Sequence, residues 1–140
     1  MSNATPNMRD LAKRLLSHET TGDSFLVIER LRPNLATLMG KAGFRALVSR
    51  TLALASSEVS WLRALHVGAD GSIEGLDALR ARVSAREFAE GGVVLLAQLL
   101  GLLMAFIGEG LTLRLLLDVW PILRLDDWDP STGGKNEKAE

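Results

Sequence analysis

The sequence predicts an all-α protein: a single bundle-like domain of five to seven helices. In most segments apolar residues recur three and four positions apart, which is the spacing of one face of an α-helix. One longer apolar segment, residues 88–107, offers these amphipathic helices a shared surface on which to bury their apolar faces. A chain of 140 residues is the size of one domain. We therefore expect one helical domain over residues 7–124, built around a central helix at about 88–107.

The first helices are separated by residues that interrupt helical structure. Helical spacing of apolar residues predicts a helix over residues 7–18, and Asp23 or Ser24 can cap the next one. Pro33 lacks the N–H group that a helix interior uses, so we expect a break or kink there. A third helix would then cover Pro33–Met39.

The middle of the chain predicts a glycine break, a helix and a tight turn. Glycine-containing residues 40–43 end the third helix, and residues 44–57 repeat the helical pattern. The sequence Asp70-Gly71 lies between apolar residues and favours a tight reversal, because glycine adopts positive φ at little cost. We expect this turn to pair Val67 with Ile73 in a short β-bridge.

The long apolar helix has a recognisable beginning and end. Ser84 followed three residues later by Glu87 predicts a capping box at its N-terminus. Glycines weaken helices, so a break or bend is expected at Gly108 or Gly110. The second part of the helix should stop at Pro121.

Residues 91–108 are long and apolar enough for a minimal membrane span, and Gln98 is their only polar side chain. A narrow band of polar or small residues nevertheless follows one side of this helix. The band consists of Glu90, Val94, Gln98, Gly101, Ala105, Glu109 and Thr112. This band favours a buried central helix with one close-packed or exposed edge over a membrane span. We take Gln98, Gly101, Ala105 and Glu109 as candidate contacts for a partner or a second copy.

Trp128 lies in the acidic segment 126–130, where an exposed tryptophan would be unusual. It is a candidate for docking a partner protein, and packing on its own domain is an equally good interpretation. We expect residues 125–140 to form a disordered acidic tail, and residues 1–6 to be disordered as well.

Residues 36–52 have some features of a helix-turn-helix motif, with Lys41, Arg45 and Arg50 as the candidate nucleic-acid contacts. Residues 1–67 carry nine basic and five acidic side chains, against seven and twelve in residues 68–140. The local basic bias makes a DNA-binding regulator one alternative function. The opposing interpretation is a pair of core helices with solvated arginines.

No motif predicts an enzyme, a cofactor or a metal site. The chain has no cysteine, which excludes disulfides, thiol catalysis and cysteine-ligated metals. Residues 66–77 resemble the spacing of an EF-hand loop, but too few of the required positions carry oxygen ligands. The two histidines, His18 and His66, lie on separate predicted elements. We expect a non-enzymatic protein without a cofactor or metal.

The segment FIGEGLTLRLLLDVWP at residues 106–121, with LLAQLLGLLMAF before it, resembles the C-terminal helix of small uncharacterised helical proteins of bacteria. The resemblance extends over residues 44–121. It implies a soluble bacterial protein and supplies no activity or binding residues.

By elimination, the sequence favours a small helical protein-interaction module, an adaptor or accessory protein that binds a protein partner or itself. The alternatives are the DNA-binding regulator and a membrane-associated protein acting through residues 91–108. The N-terminal sequence MSNATPNMRD lacks the apolar core of a secretory signal, so we expect a cytoplasmic location.

Overall fold

A computed structural model of the chain describes residues 6–19, 23–125 and 128. These residues are mostly helical, which confirms the all-α class. The helices are α1 (Pro6–Leu16), α2 (Ser24–Glu58), α3 (Leu76–Arg80) and α4 (Ala85–Val119), with a 3₁₀ turn at Ser60–Ala64. Two short antiparallel strands, β1 (His66–Val67) and β2 (Ile73–Glu74), form a hairpin between α2 and α3.

The predicted count of five to seven helices is wrong, because the described residues contain four. Pro33 does not end a helix: it lies inside α2 with its ring exposed. A proline φ suits the α-helix, and the cost of the missing N–H does not stop α2 here. The interruptions lie within the long helices instead. They occur at Gly40 (φ 80°, ψ 167°) and at Gly108 (φ 87°, ψ 161°), which we call the α2 joint and the α4 joint.

Both joints use a backbone conformation that is essentially restricted to glycine. At the α4 joint, the hydroxyl of Thr112 donates to the carbonyl of Gly108 at 2.7 Å, which satisfies one helix-end acceptor. The sequence predicted this break at Gly108 or Gly110, and the structure has it at Gly108. A glycine with positive φ changes the direction of the chain, so each long helix has two segments with separate packing.

The predicted caps at Asp23 and Ser84 are confirmed, whereas Asn7, which could also cap a helix by its sequence, lies inside α1. Asp23 Oδ1 accepts a hydrogen bond from the N–H of Phe25 at 2.9 Å at the start of α2. At the start of α4, Ser84 Oγ accepts from the N–H of Glu87, and Glu87 Oε1 accepts from the N–H of Ser84, both at 3.1 Å. This reciprocal pair is a capping box, and it fixes where α4 begins.

The hairpin has the predicted pairing of Val67 with Ile73, and its turn is held by both segments of α2. Arg32, before the α2 joint, donates to Ser72 Oγ at 2.9 Å. Arg45, after the joint, donates to the carbonyl of Gly68 at 3.0 Å. The turn therefore braces the α2 joint from both sides.

Within the turn, the N–H of Ser72 donates to the carboxylate of Asp70 at 3.0 Å. This hydrogen bond lowers the pKa of Asp70 below its usual value. The stabilisation from this hydrogen bond is therefore fully present at pH values above the usual pKa of an aspartate. It is lost as the pH falls through the lowered pKa of Asp70.

The core surrounds the first segment of α4. Every residue from Val94 to Leu103 is buried, and α1 and α2 pack around them. By length and composition, α4 is also apolar enough to cross a membrane, and 67% of its most apolar part is buried inside the protein. The same test is passed by the core helix of a soluble protein, so it does not separate the two interpretations.

Gly91 marks the closest approach between α4 and the 3₁₀ turn. A Cβ atom at this position would lie 2.3 Å from Cζ2 of Trp61. The Trp61 ring is stacked on Phe88, with ring centroids 5.7 Å apart, and has little freedom to move. We expect Gly91→Ala to lower the free energy of unfolding by about 1–3 kcal/mol through overpacking, measured by urea denaturation.

Gly110→Ala is the matched control, because Gly110 is exposed and open space surrounds its Cβ position. We expect this change to be neutral or to stabilise by up to about 1 kcal/mol. A Gly91→Ala protein as stable as the Gly110→Ala protein would contradict the close contact with Trp61.

Candidate functional site

The second segment of α4 carries apolar and charged side chains side by side on its solvent-exposed surface. Leu111, Arg114, Leu117 and Asp118 are all exposed. At 3.6 residues per turn they fall within an arc of about 120° on one side of the helix. We call these four residues the α4 outer face. Among the residues described, the α4 outer face is the only part of α4 that combines exposed leucines with opposite charges.

Two more exposed apolar side chains flank this face along the sequence, one before it and one after it. Phe106, just before the α4 joint, is 65% exposed, and Ile122, just after α4, is 77% exposed. Scattered exposed apolar residues are normal in soluble proteins. Four of the six large apolar side chains that are exposed among the residues described lie within residues 106–122.

The charges of the α4 outer face have no ionic partner in the described part of the chain. Arg114 and Asp118 are four residues apart, a spacing at which opposite charges on a helix can pair. The structure has no salt bridge between them. An arginine that precedes its acid by four residues is the less favourable orientation for pairing along a helix. Both charges are therefore free to pair with another molecule.

The candidate residues along the central helix do not form one edge. Gln98 is 1% exposed and Gly101 is also buried, whereas Ala105 and Glu109 are exposed. The prediction of a shared contact surface is corrected here, because Gln98 and Gly101 are inside the domain. The buried part of α4 runs from Val94 to Leu103, whereas Ala105 lies beyond it at the exposed end of the first segment and Glu109 follows the joint at Gly108.

Trp128 packs on its own domain, as one of the two sequence interpretations expected. It is 8% exposed, and its indole Nε1 donates to the main-chain carbonyl of Asn7 at 2.9 Å. It is therefore not available as a docking residue. Residues 1–5, 126, 127 and 129–140 lie outside the described part of the chain, so the disorder expected there stays a prediction.

The candidate nucleic-acid residues do not share a face. Lys41, Arg45 and Arg50 are exposed on the second segment of α2, but Arg45 is engaged with the hairpin turn. Lys41 and Arg50 are nine residues apart, which places them on opposite sides of the helix, about 180° apart. A recognition helix needs its base-contacting and phosphate-contacting side chains on one side. The geometry therefore gives no support to a helix-turn-helix in residues 36–52.

A cavity of about 330 Å³ lies where the first turns of α2 and α4 approach each other. Asp23 and Arg80 form an ion pair at its wall, with Arg80 Nη2 and Asp23 Oδ2 separated by 2.6 Å. The Arg80 guanidinium also lies over the ring of Phe88, 4.5 Å from its centroid. Sequence reasoning missed this cavity, because the three residues belong to three different elements.

No cluster of three or more His, Asp or Glu side chains with metal-binding geometry occurs among the residues described. We find no significant match of the chain to a family model, to a curated protein or to a solved structure. The resemblance of residues 106–121 to small bacterial helical proteins therefore stays a prediction.

Sequence reasoning also missed the α4 outer face. The predicted band of polar and small residues from Glu90 to Thr112 assumed one continuous helical register through Gly108. Restarting the helical register after the glycine puts Leu111 and Leu117 beside Arg114 and Asp118. The available signal was the pair of charged residues, Arg114 and Asp118, whose spacing indicates that this side of the helix faces solvent.

Proposed function

We propose that this protein is a non-enzymatic helical interaction module whose docking surface is the α4 outer face. The observation that carries the proposal is the combination of exposed leucines and unpaired opposite charges on one side of a helix. As its partner we propose a second copy of the chain, because the charges of this face are complementary to themselves.

The charge pattern fits an antiparallel pairing about a two-fold axis. With the axis near residue 116, Arg114 of one copy lies opposite Asp118 of the other, and symmetry repeats this pair. Leu117 lies beside the axis, where it packs against the other copy. Leu111 falls opposite the turn that carries Ile122, the most exposed of the large apolar side chains in the described residues, so that side chain is covered as well.

The expected dimer is weak. A stable interface buries about 800 Å² on each partner, and a few half-exposed leucines with one phenylalanine and one isoleucine offer less apolar area than that. We therefore expect a concentration-dependent dimer with a dissociation constant in the micromolar to millimolar range. Such an interface suits a regulated or accessory association.

Charge reversal tests this pairing directly. Arg114→Asp or Asp118→Arg alone places like charges opposite each other at both symmetric contacts. Each exposed ion pair contributes about 0.2–1 kcal/mol, so replacing two attractions by two repulsions is expected to weaken the dimer about tenfold. The double variant restores opposite charges and is expected to recover the parent affinity. Sedimentation equilibrium over a wide concentration range measures all three.

The ion pair between Arg86 and Glu90 on α4 provides the matched control. Arg86 and Glu90 are also four residues apart and highly exposed, but they lie at the other end of the helix. Arg86→Asp should leave the dimer unchanged. A parent protein that is monomeric at every concentration, or a double variant as weak as the single ones, would refute the proposal. Flotation of the monomer with anionic lipid vesicles would instead favour the membrane-associated alternative.

A further inference from the structure

We infer that the cavity between the first turns of α2 and α4 binds a small organic monocarboxylate with an apolar body. This site is separate from the α4 outer face and does not depend on the function proposed for it. Three features support it: unused hydrogen-bond donors on an arginine, a buried hydroxyl without a partner, and aromatic walls.

The arginine at the wall has more donors than the protein uses. Both oxygens of Asp23 are engaged, since Oδ1 accepts from the N–H of Phe25 and Oδ2 accepts from Arg80 Nη2. A guanidinium has five N–H donors in a fixed fork, and this is the only hydrogen bond that Arg80 makes in the described chain. Its position over the Phe88 ring holds the fork at the cavity. The remaining donors suit a carboxylate, which arginine binds with two parallel hydrogen bonds.

The buried hydroxyl belongs to Ser24, the first residue of α2. Ser24 is 4% exposed, lines the cavity, and makes no side-chain hydrogen bond within the residues described. Buried hydroxyl groups normally have a partner, so this one points to a ligand atom. Gly92 of α4 keeps the space beside it open, because a Cβ there would lie 2.8 Å from Ser24 Oγ. The N-termini of α2 and α4 add partial positive charge at the same cavity.

The remaining wall defines the rest of the ligand. Phe25 and Phe88 lie with their ring centroids 5.4 Å apart, and Val83 and Ala89 complete an apolar lining. A volume of about 330 Å³ is at the lower end of the range for small-molecule sites. The Asp23 carboxylate at the wall disfavours a second negative charge on the ligand. These features select a compact monoanion with an aromatic or branched aliphatic body, such as a benzoate-sized acid.

Titration of the full-length protein with benzoate, followed by amide NMR shifts, tests the inference. Saturable shifts are expected at the first turns of α2 and α4. Benzamide, which has the same shape without the charge, should bind at least about tenfold more weakly, since hydrogen bonds to charged groups are the stronger ones. Inorganic phosphate should also bind more weakly, because it has no apolar body. Equal binding of benzamide or phosphate, or no saturable shift with benzoate, would overturn the inference.

Two variants separate a ligand site from a structural role. Ser24→Ala should weaken benzoate binding several-fold while leaving the protein as stable as the parent or more so, because it removes a hydroxyl that lacks a partner. Arg80→Gln should reduce affinity at least tenfold, whereas Arg82→Gln, an exposed arginine outside the cavity, should not. Unchanged affinity in Ser24→Ala and Arg80→Gln would overturn the site. The Arg114→Asp variant should bind benzoate normally, so failure of the dimer and failure of this site are distinguishable.

Discussion

Replacing Trp128 by alanine is expected to lower the free energy of unfolding by about 3–5 kcal/mol, the usual cost of removing a buried aromatic side chain. The indole is 8% exposed and belongs to the hydrophobic core. It also donates a hydrogen bond to Asn7 in the first turn of α1, 121 residues earlier in the chain. The truncation leaves a cavity and removes that donor, so the loss combines both effects.

Trp128→Phe is the informative companion variant. It keeps an aromatic ring in the core and removes the indole N–H, so about 1–2 kcal/mol should be lost. Urea denaturation followed by far-ultraviolet circular dichroism measures both variants without relying on tryptophan fluorescence. Stability within 1 kcal/mol of the parent for Trp128→Ala would mean that the indole is solvated in solution. In that case, Trp128 would again be a candidate for docking a partner.

Glu19→Ala is expected to cost about 3 kcal/mol of stability, because Glu19 brings together groups from three parts of the chain. Its side chain is 2% exposed, and Oε2 accepts from Trp120 Nε1 at 2.8 Å and pairs with Arg30 Nε at 2.6 Å. Removing one partner of a buried ion pair costs about 3–5 kcal/mol. The side chain of Arg30 is 54% exposed, so water can solvate its charge once Glu19 is removed. The expected loss of stability therefore lies at the low end of that range.

Glu19→Gln separates the charge from the hydrogen bond. The amide oxygen can still accept from Trp120, so the smaller loss, about 1–2 kcal/mol, reports mainly the ion pair with Arg30. Arg30→Gln should cost at least as much as Glu19→Gln, because it leaves the buried carboxylate without its counter-charge. Equal losses for Glu19→Ala and Glu19→Gln would show that the contact with Trp120 adds no stability. A Glu19→Ala protein with parent stability would contradict the buried position of the carboxylate.

The pairing of Glu19 with Trp120 illustrates why part of the site could not be predicted. The two residues are 101 positions apart, and Glu19 lies just after the helix that the sequence predicts over residues 7–18, where nothing local indicates burial. Burial of a carboxylate depends on partners that other elements bring to it. The cavity at Arg80 has the same origin, since its ion pair joins residues 57 positions apart.

Several local signals predicted the structure correctly because their physical cause is itself local. The capping box at Ser84 and the Asp70-Gly71 turn depend on hydrogen bonds and φ angles within a few residues. The break expected at Pro33 does not occur, because the packing that keeps α2 helical outweighs the local cost of a proline, about 3 kcal/mol. Local propensity is a preference that tertiary contacts can outweigh.

The amino-acid sequence was enough to establish the all-α class and the positions of the helix caps and glycine joints. It also identified the central place of residues 88–107. These features follow from helical periodicity and from glycine stereochemistry, which act over one or two turns. The tertiary structure alone decided which side of α4 is exposed. After Gly108 the helix takes a new direction, and exposure then depends on which neighbouring elements cover each side. For that reason Gln98 and Gly101 are buried, whereas Leu111, Arg114 and Asp118 are exposed to solvent.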